Sequence, residues 1–231
     1  MFGFDREISS SNSAKIQIIW TLSGEAIVTT QLAIQTTTFD EFISWLPASS
    51  EYRYELQDGV IVEMPKPRGK HSQLGAWITG QLFKEIERLE LLYFMPIDCI
   101  IKSIDSRSGY EPDVTVINTN TLSDEPRWEQ ESILTLGSTI PLVVEVVSTN
   151  WQDDYLTKYS AYQDLGIAEY WIVDYLGLGG RRFIGNPKQP TISICQLVDG
   201  EYDVQLFRDT EALQSGIFPE LELTANQVFM L

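Results

Sequence analysis

The chain has 231 residues, 43% of them hydrophobic, which suits one domain with elaborations and a real core rather than a disordered chain. Lys and Arg number 16 against 33 Asp and Glu, a formal net charge of −17. Such a surface repels polyanions at long range, so any action on nucleic acid needs a local basic patch, a metal or a partner.

No apolar run approaches the ~20 residues that span a bilayer. No basic segment followed by an apolar core opens the chain, so a cytoplasmic protein that does not enter membranes is expected. Cys99 and Cys195 each sit in an apolar, strand-like run and read as buried thiols, since a chain of this size does not need a disulfide.

Residues 1–31 read as an N-terminal extension with a small hairpin around Ser23-Gly24, and 32–231 as a single domain with its core at about 39–174. Thr38 caps a predicted helix from Phe39 to Leu46, where Phe39, Phe42, Ile43 and Leu46 recur at helical spacing. A hairpin follows: Tyr52–Leu56 and Val60–Met64 flank Asp58-Gly59, a strong turn signal. The segment Pro65–Lys70 is irregular and leads into a long helix from about His71, with an apolar stripe of Leu74, Trp77, Ile78, Leu82, Phe83, Ile86 and Leu89.

Strands are expected at Asp98–Lys102 and Pro112–Ile117, then a polar, acidic loop with one helical turn from Asn118 to Ser138. Leu142–Ser148 reads as a central strand, Asp153–Leu165 as a helix ending at Gly166, and Glu169–Asp174 as a further strand. That order makes a βαβ unit with parallel strands. A last hairpin, Thr191–Val198 and Tyr202–Phe207, turns at Asp199-Gly200.

Two carboxylates stand out because each lies in an otherwise apolar strand. Asp113 follows Pro112 ahead of Val114, and Glu145 sits inside Leu142–Ser148. Removing an ionised carboxylate from water costs several kcal/mol unless a cation or hydrogen bonds compensate. Glu145 fits either a structural ion pair or a metal ligand, and Asp113 either the solvated start of a strand or a second ligand. A hard divalent cation such as Mg²⁺ suits a pair of this kind.

Lys158 is either an exposed i,i+4 partner of Asp154 or an ammonium held over the strand ends. Glu55 is either a third ligand or the outward residue of a half-exposed strand. Lys66, Arg68 and Lys70 gather just before a helix N-terminus, which favours phosphate, or form a solvated turn. His71, the only histidine, either helps bind phosphate and move a proton or contacts the helix-entry backbone. A zinc site is disfavoured by the single histidine and the distant cysteines.

The ordered set Tyr54–Gly59, His71, Glu111-Pro112-Asp113-Val114, Leu142–Ser148, Lys158-Tyr159 with Tyr162, and Gly166–Asp174 resembles the Uma-type restriction-endonuclease-like proteins, a branch of the PD-(D/E)XK nuclease superfamily. The resemblance implies an α/β fold of mixed α+β type: a restriction-endonuclease-like core with a central mixed β-sheet flanked by helices and extra N- and C-terminal hairpins. It implies a core of helix, three-stranded meander, helix and strand, with the meander strands around Lys102, Val114 and Val146.

It also implies Asp113 and Glu145 as Mg²⁺ ligands, with Mn²⁺ as a substitute and Glu55 as an accessory. The superfamily lysine two residues after the glutamate is Val147 here, so that role passes to Lys158. The expected activity is Mg²⁺-dependent hydrolysis of DNA phosphodiesters by a homodimer, with DNA reached through the basic loop. The alternative is a catalytically weak module that keeps the fold for binding or regulation. A nucleotide-binding βαβ fold is disfavoured, because no Gly-rich loop joins the Val144 strand to its helix.

Overall fold

The computed structural model describes residues 36–231 throughout and, before them, only the strands β1 (Ala14–Trp20) and β2 (Ala26–Leu32). These two pair antiparallel, as the expected hairpin requires, and its turn at Ser23-Gly24 lies outside the described residues. Among the described residues no helix is long and apolar enough to cross a membrane.

Helix α1 (Phe39–Trp45) starts at a full capping box in which Thr38 and Glu41 exchange side-chain to backbone hydrogen bonds. Strands β3 (Tyr52–Gln57) and β4 (Val60–Pro65) then form the expected hairpin. Its turn places Asp58 and Gly59 at φ of 49° and 80°, the left-handed conformations that select an Asp-Gly pair.

Helix α2 (Gly69–Arg88) begins two residues before His71 and buries Leu74, Ile78, Leu82 and Ile86. Phe83 does not belong to this stripe, contrary to the expectation; it is 54% exposed. One residue beyond Leu82 is about 100° round the helix, which turns Phe83 away from the sheet that the others cover.

The short strands β5 (Tyr93–Phe94), β6 (Ile100–Lys102) and β7 (Gly109–Tyr110) precede β8 (Val114–Asn118). The polar stretch after β8 contains two short 3₁₀ turns, one turn of helix α3 (Trp128–Glu131) and strand β9 (Ile133–Leu134). Strand β10 (Leu142–Val146) follows, ending two residues before the expected Ser148. After a π-helical segment, Asp153–Lys158, the chain continues as α4 (Tyr159–Leu165), β11 (Glu169–Asp174), α5 (Arg181–Ile184), β12 (Thr191–Val198), β13 (Glu201–Phe207) and α6 (Ala225–Phe229).

The central mixed sheet is six-stranded, in the order β13-β12-β11-β10-β8-β5, with β10 and β11 parallel as the βαβ pattern predicts. A second mixed sheet, β4-β3-β7-β6-β9, takes up the β3–β4 hairpin. The expected meander is therefore split. The Lys102 strand pairs with β7 and β9, whereas β8 pairs with β10 and β5. Pro112, which has no N–H to continue a ladder, marks the point where the chain leaves one sheet for the other.

Alternation along β10 assigns its two faces. Leu142, Val144 and Val146 pack under α2, while Val143 and Val147 pack with Tyr155, Tyr162, Tyr170 and Ile172 on the other side. Glu145 shares that second face with Val143 and Val147. Both cysteines are buried and unbridged, and burial pushes the Cys99 thiol up to about 12.

Candidate active site

The junction between the two sheets gathers most of the predicted polar residues around one cleft of about 290 Å³. Asp113 comes from the break between β7 and β8, Glu145 from β10, Glu55 from β3 and Lys158 from the end of the π-helical segment; all four side chains are buried. Lys66, Arg68 and His71 line the same cleft from the β4–α2 connection.

Lys70 does not join them. Its ammonium binds the backbone carbonyl of Leu231, because a residue one step past Gly69 is already carried round the helix toward the C-terminus.

Lys158 Nζ stands 3.0 Å from Glu145 Oε1, 3.0 Å from Glu55 Oε1 and 3.9 Å from Asp154 Oδ1. The exposed-pair reading of Lys158 with Asp154 therefore fails, since the side chain is 5% exposed and its main partners come from two other strands. The local cause is the π-helix, whose wider turn departs from the regular α-helix expected over this segment. Burial alone would release the proton, but attraction to Glu145, Glu55, Asp154 and Asp113 outweighs it and holds the amine well above its ordinary range.

Glu55 is not the outward residue of a half-exposed strand. It is fully buried, as is Leu56 on the opposite face. Oε1 accepts from the Glu111 N–H at 3.2 Å and pairs with Lys158, while Oε2 accepts from Gln57 at 3.2 Å. Glu55 thereby holds the lysine jointly with Glu145.

Glu145 Oε1 accepts from Lys158 at 3.0 Å and from the Tyr162 hydroxyl at 2.9 Å. Burial raises this carboxyl to about 7, against the pull of Lys158 and with a push from Asp113 and Glu55. Burial also raises Asp154 well above the carboxylate range and lifts its neighbour Asp153.

Asp113 is likewise more than a solvated strand start. Its Oδ2 accepts from the Val146 N–H at 2.8 Å and lies 3.3 Å from His71 Nε2. Its Oδ1 accepts from Arg53 Nη1 at 3.0 Å. Arg53 also donates to the Glu111 carbonyl at 2.8 Å, and the attraction of Asp113, Glu111 and Glu145 raises its guanidinium despite burial.

Sequence reasoning missed Arg53, Asp154 and the role of Tyr162. The signal for Arg53 was available, because residues two apart on a strand share a face and Arg53 lies two before Glu55.

Two mixed sheets with a buried carboxylate–lysine cluster at their junction define a nuclease-like fold. The chain matches the crystal structure titled as a "putative nuclease belonging to DUF820" from Anabaena variabilis, with a TM-score of 0.60 at 20% identity over 84% of this chain and 97% of that one. It belongs to the Uma2 family, described as "Putative restriction endonuclease", whose family model matches residues 39–226. No curated protein matches the chain.

Proposed function

We propose that this chain is a Mg²⁺-dependent DNA endonuclease, with Mn²⁺ able to substitute, in which Asp113 and Glu145 hold the cation. The observation that carries the reading is the buried Lys158 ammonium clamped between Glu145 and Glu55 on the cleft that Asp113 also lines. A salt bridge made only for stability has little reason to sit beside surplus carboxylates. Here Glu55, Asp113, Glu145, Asp153 and Asp154 share the cleft with Lys158 as its buried cation and Arg53 half-buried beside it.

The donor set fits a small hard cation. Among the described residues no hydrogen-bond donor engages Glu145 Oε2, which leaves that oxygen open to a cation. Among the same residues no three His, Cys, Asp or Glu side chains converge as a closed metal cage. A site built on two protein carboxylates, completed by water and substrate phosphate, is how Mg²⁺ is usually held. Bound there, Mg²⁺ supplies a Lewis acid that polarises the phosphate and acidifies water.

The residues of the chain divide the remaining work. Lys158 stays charged at neutral pH and cannot serve as a base, so it offsets the negative charge that develops on the phosphate. Glu55 and Tyr162 keep Lys158 and Glu145 in register. Asp154 lines the same cleft 3.9 Å from the lysine ammonium, where its carboxylate would accept a proton from the attacking water. Lys66 and Arg68 line the cleft from the β4–α2 connection and would engage phosphates next to the scissile one.

The test is cleavage of circular and linear DNA with Mg²⁺ or Mn²⁺ by the wild type and by Glu145→Gln and Asp113→Asn. The expected result is metal-dependent cutting by the wild type and its loss in both variants, with melting still cooperative. The second reading, a binding module that keeps the fold without activity, is favoured by the net charge of −17 and by the Arg53–Asp113 pair that already neutralises one carboxylate. A wild type that binds Mn²⁺ weakly and cuts nothing would establish it.

A further inference from the structure

We infer that the substrate of this site is a single, unpaired DNA strand with a base beside the scissile phosphate stacked on Tyr52; the inference rests on the nuclease reading above. Three observations carry it.

The first is depth. Asp113, Glu145 and Lys158 are buried at the floor of a cleft of about 290 Å³, so a phosphodiester must come down to them. A flexible strand bends and unstacks to do so, whereas a duplex presents a stiff, wide cylinder.

The second is a neighbouring trough. A cavity of about 380 Å³ shares Arg53 and Lys66 with the cleft, and both Tyr52 and Tyr54 line it. Tyr52 leaves 46% of its surface in water, at the start of strand β3 where its backbone is already paired with Pro65. Tyr54 is braced edge-on by Trp45, with ring centroids 5.0 Å apart at 89°. A cation such as Lys66 standing between the reacting groups and aromatic rings suits a single strand, in which phosphates track the charge and bases stack on the rings.

The third is charge. Duplex DNA brings two phosphate backbones to a surface, and neutralising both takes more cations than neutralising one. The chain has 16 Lys and Arg in all, and only Arg53, Lys66, Arg68 and Lys158 line the cleft. Asp98, Glu111 and Glu131 in the trough further disfavour a second phosphate backbone, and Asp98 can still accept from exocyclic amino groups of bases.

The experiment uses the full chain and fluorescein-labelled DNA of one mixed sequence, either as a single strand or annealed to its complement. Anisotropy in Ca²⁺ measures binding, and gel assays in Mn²⁺ measure cleavage. The single strand should bind about ten-fold or more tighter than the duplex. Tyr52→Ala should weaken single-strand binding by about ten-fold, the loss of one stacked base. Tyr52→Trp should restore it.

Equal or tighter binding and cutting of the duplex overturns the inference, as does a Tyr52→Ala variant that binds like the wild type. Cleavage that is lost in Glu145→Gln but indifferent to strandedness overturns this inference alone. Absence of any cleavage or DNA binding by the wild type overturns the nuclease reading with it.

Discussion

Replacing Lys158 by Met tests the central arrangement without changing side-chain length much. The substitution removes the ammonium that lies 3.0 Å from both Glu145 and Glu55 and leaves two fully buried carboxyls facing each other. Breaking a buried pair by deleting one partner costs about 3–5 kcal/mol, because the remaining charge is uncompensated.

The structure makes that cost depend on pH in a defined direction. Lys158 itself is raised above its ordinary value, so its own protonation is complete at every pH below about 10 and contributes no slope there. Glu145 is raised by burial to about 7 even with Lys158 present, and removing the cation raises it further. A carboxyl with its folded pKa above its unfolded one stabilises the fold below the unfolded value, near 4.5, and that stability is lost as pH rises through the folded value.

The variant should therefore lose about 3–5 kcal/mol at pH 8 and clearly less at pH 5.5, where protonated Glu145 can donate a hydrogen bond to its neighbour. Urea denaturation at the two pH values measures both losses. Adding Glu145→Gln should return part of the loss at pH 8, with a coupling beyond the roughly 0.5 kcal/mol expected of independent sites. A loss that is the same at both pH values, or additive double-mutant energies, would refute the argument that Lys158 neutralises this pair. The DNA-cleavage rate should fall about 100- to 1000-fold, as for loss of one preorganised electrostatic group.

Other perturbations probe the parts separately. Tyr162→Phe deletes a fully buried hydrogen bond to the Glu145 carboxylate and should cost about 1.5–3 kcal/mol in urea unfolding, while a loss under half a kcal/mol would show the bond to be idle. Because Glu145 titrates at about 7, the metal-free protein should lose stability between pH 5.5 and 8, and saturating Mg²⁺ should raise Tm more at pH 8 than at pH 5.5. Equal shifts at both pH values in differential scanning fluorimetry would argue against Glu145 as a ligand. Gly137→Ala drives a Cβ into the Leu165 carbonyl and the Gly166 backbone at the end of α4, so it should cost about 1–3 kcal/mol or more, and an unchanged melting curve would contradict that packing.

Local patterns made much of this protein readable from its residues. Asp58-Gly59 and Asp199-Gly200 specify tight turns through left-handed backbone angles, and Thr38 marks a helix start; each is a short-range effect. The cost of burying a charge in Leu142–Val146 singled out Glu145 for the same kind of reason, since both faces of that strand are apolar.

Tertiary structure alone decided which partners answer that cost. Lys158 and Asp154 look like an ordinary surface pair by spacing, and only the π-helical turn and the second sheet carry them to Glu55 and Glu145. Arg53 and Tyr162 are 92 and 17 residues from Glu145 along the chain. They reach the cluster because strands from two sheets meet there. Sheet pairing across the Pro112 break is a long-range choice set by packing of whole faces, and no local pattern encodes it.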